Sequence, residues 1–159
     1  MKSCVFSSAQ KSFRTILSAS RVAPSACNRQ PQRIIVVREP ENLLKIQNTY
    51  KTFGSPCVLI VCRDRRNELV RPFDNKCSGD LDIGIVCDHM MLEARELGLG
   101  SVMVGLFDPA IIRAVLLNIC VDDRQLDSYP TAGLCDSSLG TVLFAVYYKI
   151  ACENKRSMI

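Results

Sequence analysis

The sequence predicts one α/β or α+β domain that spans residues 1–159. Short runs of apolar, β-branched residues alternate with segments whose apolar residues recur at helical spacing, a pattern typical of helices packed on a sheet. The length of 159 residues suits one domain, and 48% hydrophobic with 23% charged residues is enough to build a core. No internal repeat and no linker divides the chain.

The first half of the chain is predicted to contain two helices and two strands. Apolar side chains recur at three- and four-residue spacing before Pro24, which ends the first helix. The strands are short, mostly β-branched runs, and Pro40 follows the first while Pro56 precedes the second. A helix with polar flanks lies between them. In chain order, these predicted elements cover residues 8–22, 33–38, 41–51 and 57–62.

The second half is predicted to begin with a charged loop and to continue with two helices and two strands. The first of these helices has Asp80 and Asp82 in its first turn, where carboxylates favour a helix N-terminus, and Gly98 ends it. Its apolar residues occupy most of its circumference, which suggests a subunit interface as well as a core. Asp108 is placed to cap the second helix. In chain order, the loop, long helix, strand, short helix and strand cover residues 63–79, 80–97, 101–105, 108–117 and 141–148.

Composition and charge argue against several classes of function. The net charge of +4 comes from basic residues spread along the chain, without the basic stripe of a nucleic-acid-binding protein. No apolar run is long enough to cross a membrane. Nine cysteines without a CxxC pair, together with a single histidine, argue against a metal site and favour buried thiols in the reducing cytoplasm. The basic, serine-rich stretch before Glu39 also has the composition of an organelle transit peptide, which is the minor alternative.

The common catalytic motifs are absent from the sequence. It has no GxGxxG after a strand, no phosphate-binding P-loop, no GxSxG and no HExxH. The Gly98-Leu99-Gly100 segment follows a helix and precedes a strand, which is the reverse of the order in a dinucleotide-binding motif. His89 lies within a helix beside Met90, and we expect it to be packed and hydrogen-bonded. No catalytic side chain and no metal ligand is therefore assigned.

One polar loop has a composition that suits a flat heteroaromatic ligand. Residues Pro24 to Pro31 read Pro-Ser-Ala-Cys-Asn-Arg-Gln-Pro and connect the first helix to the first strand. The pyrimidine edge of an isoalloxazine ring presents one donor and two acceptors, which the amide of Asn28 matches, while Ser25 and nearby backbone N–H groups add donors. Two prolines lower the entropy lost on ordering such a loop. On this chemistry alone, an ordinary capped turn explains the segment equally well.

Two blocks of the sequence resemble the nitroreductase family. The first is the Pro24–Pro31 segment, which is similar to the one that those proteins use to hold flavin mononucleotide (FMN) across a dimer interface. The second runs from Asp80 to Pro109 and resembles the central dimer helix of the family and the strand after it. The likeness covers residues 11–117. It implies an α+β fold of the nitroreductase type, a three-layer α/β/α sandwich with a mostly antiparallel central sheet and a long central dimer helix.

The resemblance also implies a function and a set of binding residues. Members of the family pass hydride from NAD(P)H through bound FMN to nitroaromatics, quinones or similar acceptors, and they form homodimers with flavin sites at the interface. The flavin performs the redox chemistry, so the protein supplies position rather than a catalytic side chain. The matching positions come from both blocks. They are Pro24, Ser25, Ala26, Asn28 and Gln30 from one subunit, with Val104 and Gly105 from the other.

Several segments depart from the family pattern. The family begins with an extra helix that carries an Arg-Arg-Ser-x-Arg-like motif, and Lys11–Arg14 is only a superficial match within the next helix, so the chain resembles a member shortened at its N-terminus. Gln32 stands where the family usually has tryptophan. Residues 126–133 and the Lys155-Arg156 pair are distant counterparts of C-terminal segments near the flavin phosphate. The alternative is therefore a non-catalytic or weakly flavin-binding relative that retains the dimeric scaffold.

Overall fold

The computed structural model describes residues 2–48, 52–108, 110, 112, 114 and 139–149, and for residues 2–11 and 139–149 it describes the backbone only. Besides a short 3-10 turn and a few helical residues after β3, the chain forms three α-helices and four strands within these residues. In chain order they are α1 (Lys2–Val22), β1 (Gln32–Val37), α2 (Pro40–Gln47), β2 (Cys57–Asp64), α3 (Gly79–Glu96), β3 (Leu99–Val104) and β4 (Leu139–Lys149).

The four described strands form one sheet in the order β1-β2-β4-β3. Every neighbouring pair among them is antiparallel. The last strand in the chain, β4, is therefore inserted between β2 and β3, while β1 and β3 form the two edges. This arrangement confirms the predicted antiparallel sheet.

Helices cover both faces of the sheet. Along β2, alternate side chains point to opposite faces, so Leu59 and Val61 pack with α1 and α3 while Val58 and Ile60 pack with α2. All four side chains are buried. Because both faces are covered, β2 shows an unbroken apolar run instead of an apolar–polar alternation. The predicted α+β sandwich of three layers is confirmed.

Most predicted elements are present with shifted boundaries. Helix α1 begins at Lys2 rather than at residue 8, because no proline or glycine interrupts residues 2–22. Strand β2 extends to Asp64 and α3 begins at Gly79, so the predicted loop over 63–79 is shorter at both ends. Strand β3 begins at Leu99, two residues earlier than expected.

The predicted cap of the helix after β3 is confirmed. The backbone is helical at the described residues 110, 112 and 114. The Asp108 side chain accepts a hydrogen bond from the Ala110 N–H at 2.8 Å, and its carbonyl accepts one from the Ile112 N–H at 3.2 Å. These bonds satisfy backbone donors that a helix N-terminus otherwise leaves without partners.

Helix α3 buries one face and exposes apolar residues on the opposite face. Gly98 follows it with a φ of 73°, a left-handed conformation that suits the predicted helix end. His89 Nδ1 lies 3.0 Å from the carbonyl oxygen of Ile85, as expected for a packed, hydrogen-bonded histidine. Leu81 and Leu92 are 70% and 63% exposed on the face turned away from the sheet. The helix is thus apolar on both sides, as its sequence indicated.

Three of the described cysteines act as small core residues. Cys57, Cys62 and Cys87 are buried, whereas Cys27 and Cys77 are exposed. Burial raises the pKa of Cys57 and of Cys87 to about 12. Within the part of the chain that the structure describes, no cluster of three or more His, Cys, Asp or Glu is arranged to hold a metal ion. Over the same residues, no helix combines the length and apolarity needed to span a membrane.

Candidate functional site

The loop from Pro24 to Pro31 connects α1 to β1 and contains a short 3-10 turn over Ala26–Asn28. The Asn28 N–H donates to the Ser25 carbonyl at 2.9 Å, and the Arg29 N–H donates to the Ala26 carbonyl at 3.1 Å. The loop begins after the last turn of α1 and ends where Pro31 enters the sheet. Its predicted position between a helix and a strand is therefore confirmed.

Three residues of this loop have a left-handed backbone although none of them is glycine. The φ angles are 51° at Cys27, 53° at Asn28 and 47° at Gln30. Asparagine tolerates this conformation better than most residues, whereas cysteine and glutamine adopt it less readily. Backbone in such regions persists where surrounding contacts impose it, and it is frequent at ligand-binding sites.

Contacts within the loop and with its flanks support this backbone. The Gln30 N–H donates to Ser25 Oγ at 2.9 Å, and the Gln30 side-chain amide donates to the Arg21 carbonyl at 3.3 Å. At the end of the loop, the Asp64 N–H donates to the Pro31 carbonyl at 2.7 Å. The loop is thus fastened to the end of α1 and to the end of β2.

Two further contacts join the loop to distant parts of the chain. The Ala26 N–H donates to Asp82 Oδ1 at 2.9 Å, and Asp82 lies in the first turn of α3. Arg29 Nη1 donates to the Glu68 carbonyl at 3.4 Å, a longer and weaker bond. The loop conformation therefore depends on residues 39 to 56 positions further along the chain.

Some of the donors that the loop composition suggested are already used inside the protein. The backbone N–H groups of Ala26, Asn28 and Gln30 all have protein acceptors. The exposed Asn28 side chain makes no hydrogen bond to any described residue, and Ser25 Oγ, which accepts from Gln30, still has its own proton to donate. Asn28 and Ser25 together offer the types of donor and acceptor that the predicted contact with the pyrimidine edge of a flavin requires.

Val104 and Gly105 lie at the other edge of the sheet. In the strand register, Val104 is opposite Phe144, Phe144 is opposite Ile60, and Ile60 is opposite Ile35. Three inter-strand spacings of about 4.8 Å separate Val104 from Ile35 by roughly 14 Å. The two groups of predicted binding residues are therefore not brought together within one chain.

The backbone at Gly105 is open to a ligand. The residue is exposed, and a Cβ atom built on it meets no described atom within 4 Å. The open space agrees with the expectation that a planar ligand approaches the backbone here. The assignment of the flavin-contacting residues itself stays a prediction.

A shallow cavity of about 280 Å³ lies beside the loop. Its volume is just below the roughly 300–1,000 Å³ of typical ligand sites. Gln32 Nε2 donates to the Ser20 carbonyl at 3.4 Å, while Gln32 Oε1 is buried and accepts no hydrogen bond from a described residue. The cavity is lined by Ser20, Arg21, Gln30, Gln32, Arg33 and Ile34.

A buried polar network next to the loop was not predicted from the sequence. Arg63 Nη1 lies 3.0 Å from Asp80 Oδ1 and 3.4 Å from Glu68 Oε2, and Glu68 is buried. A hydrogen bond to Glu68 is the main cause that raises the pKa of the Cys77 thiol. Asp82 is 2% exposed, and the sequence assigned it only a helix-terminal role. Its helical position on the buried side of α3 was the signal that this carboxylate needs a partner.

The departures noted in the sequence are only partly covered by the described residues. Lys11 and Arg14 both lie within α1, as expected, and Arg14 is exposed. Residues 126–133 and the Lys155-Arg156 pair lie outside the described residues, so their predicted relation to the flavin phosphate stays untested.

Comparisons with known proteins agree with the resemblance seen in the sequence. The sequence model that describes the nitroreductase family matches residues 47–124 of this chain. Two archaeal proteins, each named "Putative NADH dehydrogenase/NAD(P)H nitroreductase", are similar over 97 residues: one from Archaeoglobus fulgidus is 36% identical and one from Methanothermobacter thermautotrophicus is 34% identical. The matched region is 58% of this chain and spans 53% and 48% of those two proteins, about half of their length.

Solved structures extend the likeness to nearly all of the chain. A nitroreductase family protein from Clostridium difficile 630 is 34% identical, with a TM-score of 0.73, and the alignment covers 91% of this chain and 74% of that one. An FMN-dependent nitroreductase from Clostridium difficile R20291 is 20% identical with a TM-score of 0.67, and the alignment covers 94% of this chain and 80% of that one. The second likeness shows the shared fold alone.

Proposed function

This chain belongs to the nitroreductase family, and on that premise we propose that it is an FMN-dependent oxidoreductase that uses NAD(P)H to reduce nitroaromatics, quinones or similar acceptors. The observation that carries the proposal is the Pro24–Pro31 loop. Its left-handed backbone carries Asn28, whose side-chain amide has no partner among the described residues, and the same loop contains the Ser25 hydroxyl. The names of the relatives, which include NAD(P)H nitroreductases and an FMN-dependent enzyme, support it.

The proposed roles of the loop residues follow from their donors and acceptors. The Asn28 amide donates to a carbonyl oxygen of the flavin ring and accepts from its N3–H, and the Ser25 hydroxyl adds a donor. Pro24, Ala26 and Gln30 complete the surface against the ring. When bound, FMN supplies the hydride and electron transfer, and the chain holds the ring in position without a catalytic side chain of its own.

We propose further that the site is shared between two copies of the chain. The loop lies by the β1 edge of the sheet and Gly105 follows the β3 edge, so one copy does not join them around one ring. On the outer face of α3, Leu81, Ile85 and Leu92 form an apolar stripe at helical spacing, with Leu81 and Leu92 exposed. This stripe supports association of two chains through α3, as in the predicted homodimer.

The proposal is tested on the purified full chain. After incubation with excess FMN and gel filtration, we expect a yellow protein with a flavin absorbance spectrum at about one FMN per chain. Addition of NADH or NADPH with a nitroaromatic or a quinone is expected to oxidise the nicotinamide. A chain that stays colourless after this reconstitution refutes the proposal.

A second candidate function is supported by the position of the basic residues. Lys11 and Arg14 lie inside α1, which differs from a separate basic segment that grips a flavin phosphate. The chain would then be a non-catalytic relative that binds flavin weakly and keeps the dimeric scaffold. FMN retention without nicotinamide oxidation, for every acceptor tried, favours this candidate, whereas turnover excludes it. The cytoplasmic location stays a prediction from the sequence.

A further inference from the structure

Asp82 is a buried carboxylate that joins the flavin loop to the start of α3. Its side chain is only 2% exposed although it lies in the first turn of the helix. Its Oδ1 accepts the Ala26 N–H at 2.9 Å, and its Oδ2 accepts the Ser78 hydroxyl at 2.7 Å. Ser78 Oγ in turn accepts the Leu69 N–H at 3.2 Å. Both carboxylate oxygens therefore have a donor, one from the loop and one from the residue that precedes α3, and Ser78 is itself held by the Leu69 N–H.

We propose that Asp82 is a positioning residue, held by Ser78, that sets the conformation of the loop and thereby the orientation of the Asn28 amide. The proposal rests on the proposed function for the identity of the ligand. Ala26 directly precedes the left-handed pair Cys27 and Asn28, so the bond from its N–H to Asp82 fixes the backbone where this turn begins.

The other long-range contacts of the loop do not replace this bond. The contact of Arg29 with the Glu68 carbonyl is 3.4 Å long and comes from a flexible side chain. The bond between Asp64 and Pro31 fixes the end of the loop, after the left-handed residues. The contacts of Arg29 and Asp82 both include a charged group, but the bond to the buried Asp82 is shorter, at 2.9 Å, so among these contacts Asp82 contributes most to holding the turn.

Asp80 provides a matched control in the same helical turn. It carries the same charge at the N-terminus of α3, but its side chain is 70% exposed and faces Arg63 instead of the loop. If acidic residues acted here only on the helix dipole, Asp80→Ala and Asp82→Ala would have similar effects. If Asp82 positions the loop, Asp82→Ala and Ser78→Ala weaken ligand binding, whereas Asp80→Ala does not.

Two measurements test the proposal, one with FMN and one without it. The dissociation constant of FMN is determined by quenching of flavin fluorescence, and loop mobility is determined by the rate at which trypsin cleaves the FMN-free protein after Arg29. For Asp82→Ala we expect a dissociation constant larger by about 10- to 100-fold, the effect of losing one charge-assisted hydrogen bond, and faster cleavage. Asp82→Asn keeps an acceptor for the Ala26 N–H and is expected to restore most of both properties, and Asp80→Ala is expected to match the unaltered protein.

The outcomes separate failure of this proposal from failure of the proposed function. If the unaltered chain does not bind FMN, the proposed function fails, while the cleavage rates still test the role of Asp82. If Asp82→Ala lowers the melting temperature but changes neither the dissociation constant nor the cleavage rate, Asp82 is only structural and the proposal is overturned. If Asp82→Ala does not fold, Ser78→Ala decides the matter, because it removes the hydrogen bond to Oδ2 without deleting the carboxylate. Faster cleavage of Ser78→Ala after Arg29 supports the proposal, and a cleavage rate equal to that of the unaltered protein overturns it.

Discussion

Gly79, the first residue of α3, occupies a position where even one methyl group does not fit. A Cβ atom built there lies 2.9 Å from Arg63 Cδ and far inside van der Waals contact with Glu68 Oε2. The Glu68 carboxylate is the end of a flexible side chain, but it is buried and therefore has little room to move. Gly79→Ala must displace this carboxylate from its place beside Arg63.

The change in the free energy of unfolding caused by Gly79→Ala is the sum of two opposing effects. Overpacking of a tight site typically destabilises a protein by about 1–3 kcal/mol. Replacing glycine with alanine inside a helix stabilises by roughly 0.5–1 kcal/mol, and less at a helix end. We therefore expect Gly79→Ala to lower the free energy of unfolding by about 1–2 kcal/mol. Gly84→Ala is the matched control in the same helix, since a Cβ there meets no described atom within 4 Å, and we expect it to be neutral or slightly stabilising.

Urea unfolding followed by circular dichroism measures the free energy of unfolding of Gly79→Ala and of Gly84→Ala. Light scattering verifies that the variants share one oligomeric state. A double-mutant cycle with Glu68→Ala isolates the contact, because shortening Glu68 removes the atom that the new methyl group meets. In that background most of the loss caused by Gly79→Ala should disappear. Equal losses with and without Glu68→Ala, or equal effects at Gly79 and Gly84, refute the reasoning.

Four further predictions concern the binding loop, the thiols and the outer face of α3. Asn28→Ala should weaken FMN binding by about 1–3 kcal/mol in fluorescence titration, and unchanged affinity would remove Asn28 from the site. Iodoacetamide should modify the exposed Cys27 much faster than the buried Cys57, as measured by mass spectrometry of tryptic peptides. Burial raises the pKa of Cys57 and of Cys87 from 9.0 to about 12, so between pH 9 and 12 the thiols of the unfolded state lose their protons while those of the folded state keep them. The free energy of unfolding therefore falls with rising pH, by at most about 1.4 kcal/mol per pH unit for each thiol. Cys87→Ala should make this fall less steep. If the chain forms the proposed homodimer, Leu92→Glu should shift it toward monomer in light scattering, and a dimer of unchanged stability would show that this face of α3 is not the interface.

Local signals were sufficient for most of the secondary structure. The apolar run over Cys57–Cys62 indicated a strand buried on both faces, and Gly98 marked the end of α3. The prediction that α3 is apolar around most of its circumference is reflected in the exposed Leu81 and Leu92. These features follow from the periodicity and conformational preference of neighbouring residues, which is the information that a single sequence contains.

The candidate site was less predictable because its geometry depends on contacts between distant segments. The bond between Ala26 and Asp82 joins residues 56 positions apart, and no local pattern indicates it. The left-handed backbone at Cys27 occurs without a glycine to mark it, so the sequence did not reveal the shape of the turn. The loop was identified from its composition and its resemblance to a family, whereas the residues that support it required the structure.

The position of β4 in the sheet has a consequence for the order in which the molecule is made. Strand β4 begins about thirty-five residues after the end of β3 and later still after β2, so both strands are synthesised well before it. Each of them nevertheless has β4 as a hydrogen-bonded neighbour in the sheet. Until then, β1 is the neighbour available to β2, whose other edge is open, and β3 has no partner within the described sheet. Open edges of apolar strands promote aggregation, so nascent chains of this protein are vulnerable during synthesis, and closure of the sheet is a late step that joins its two halves at once.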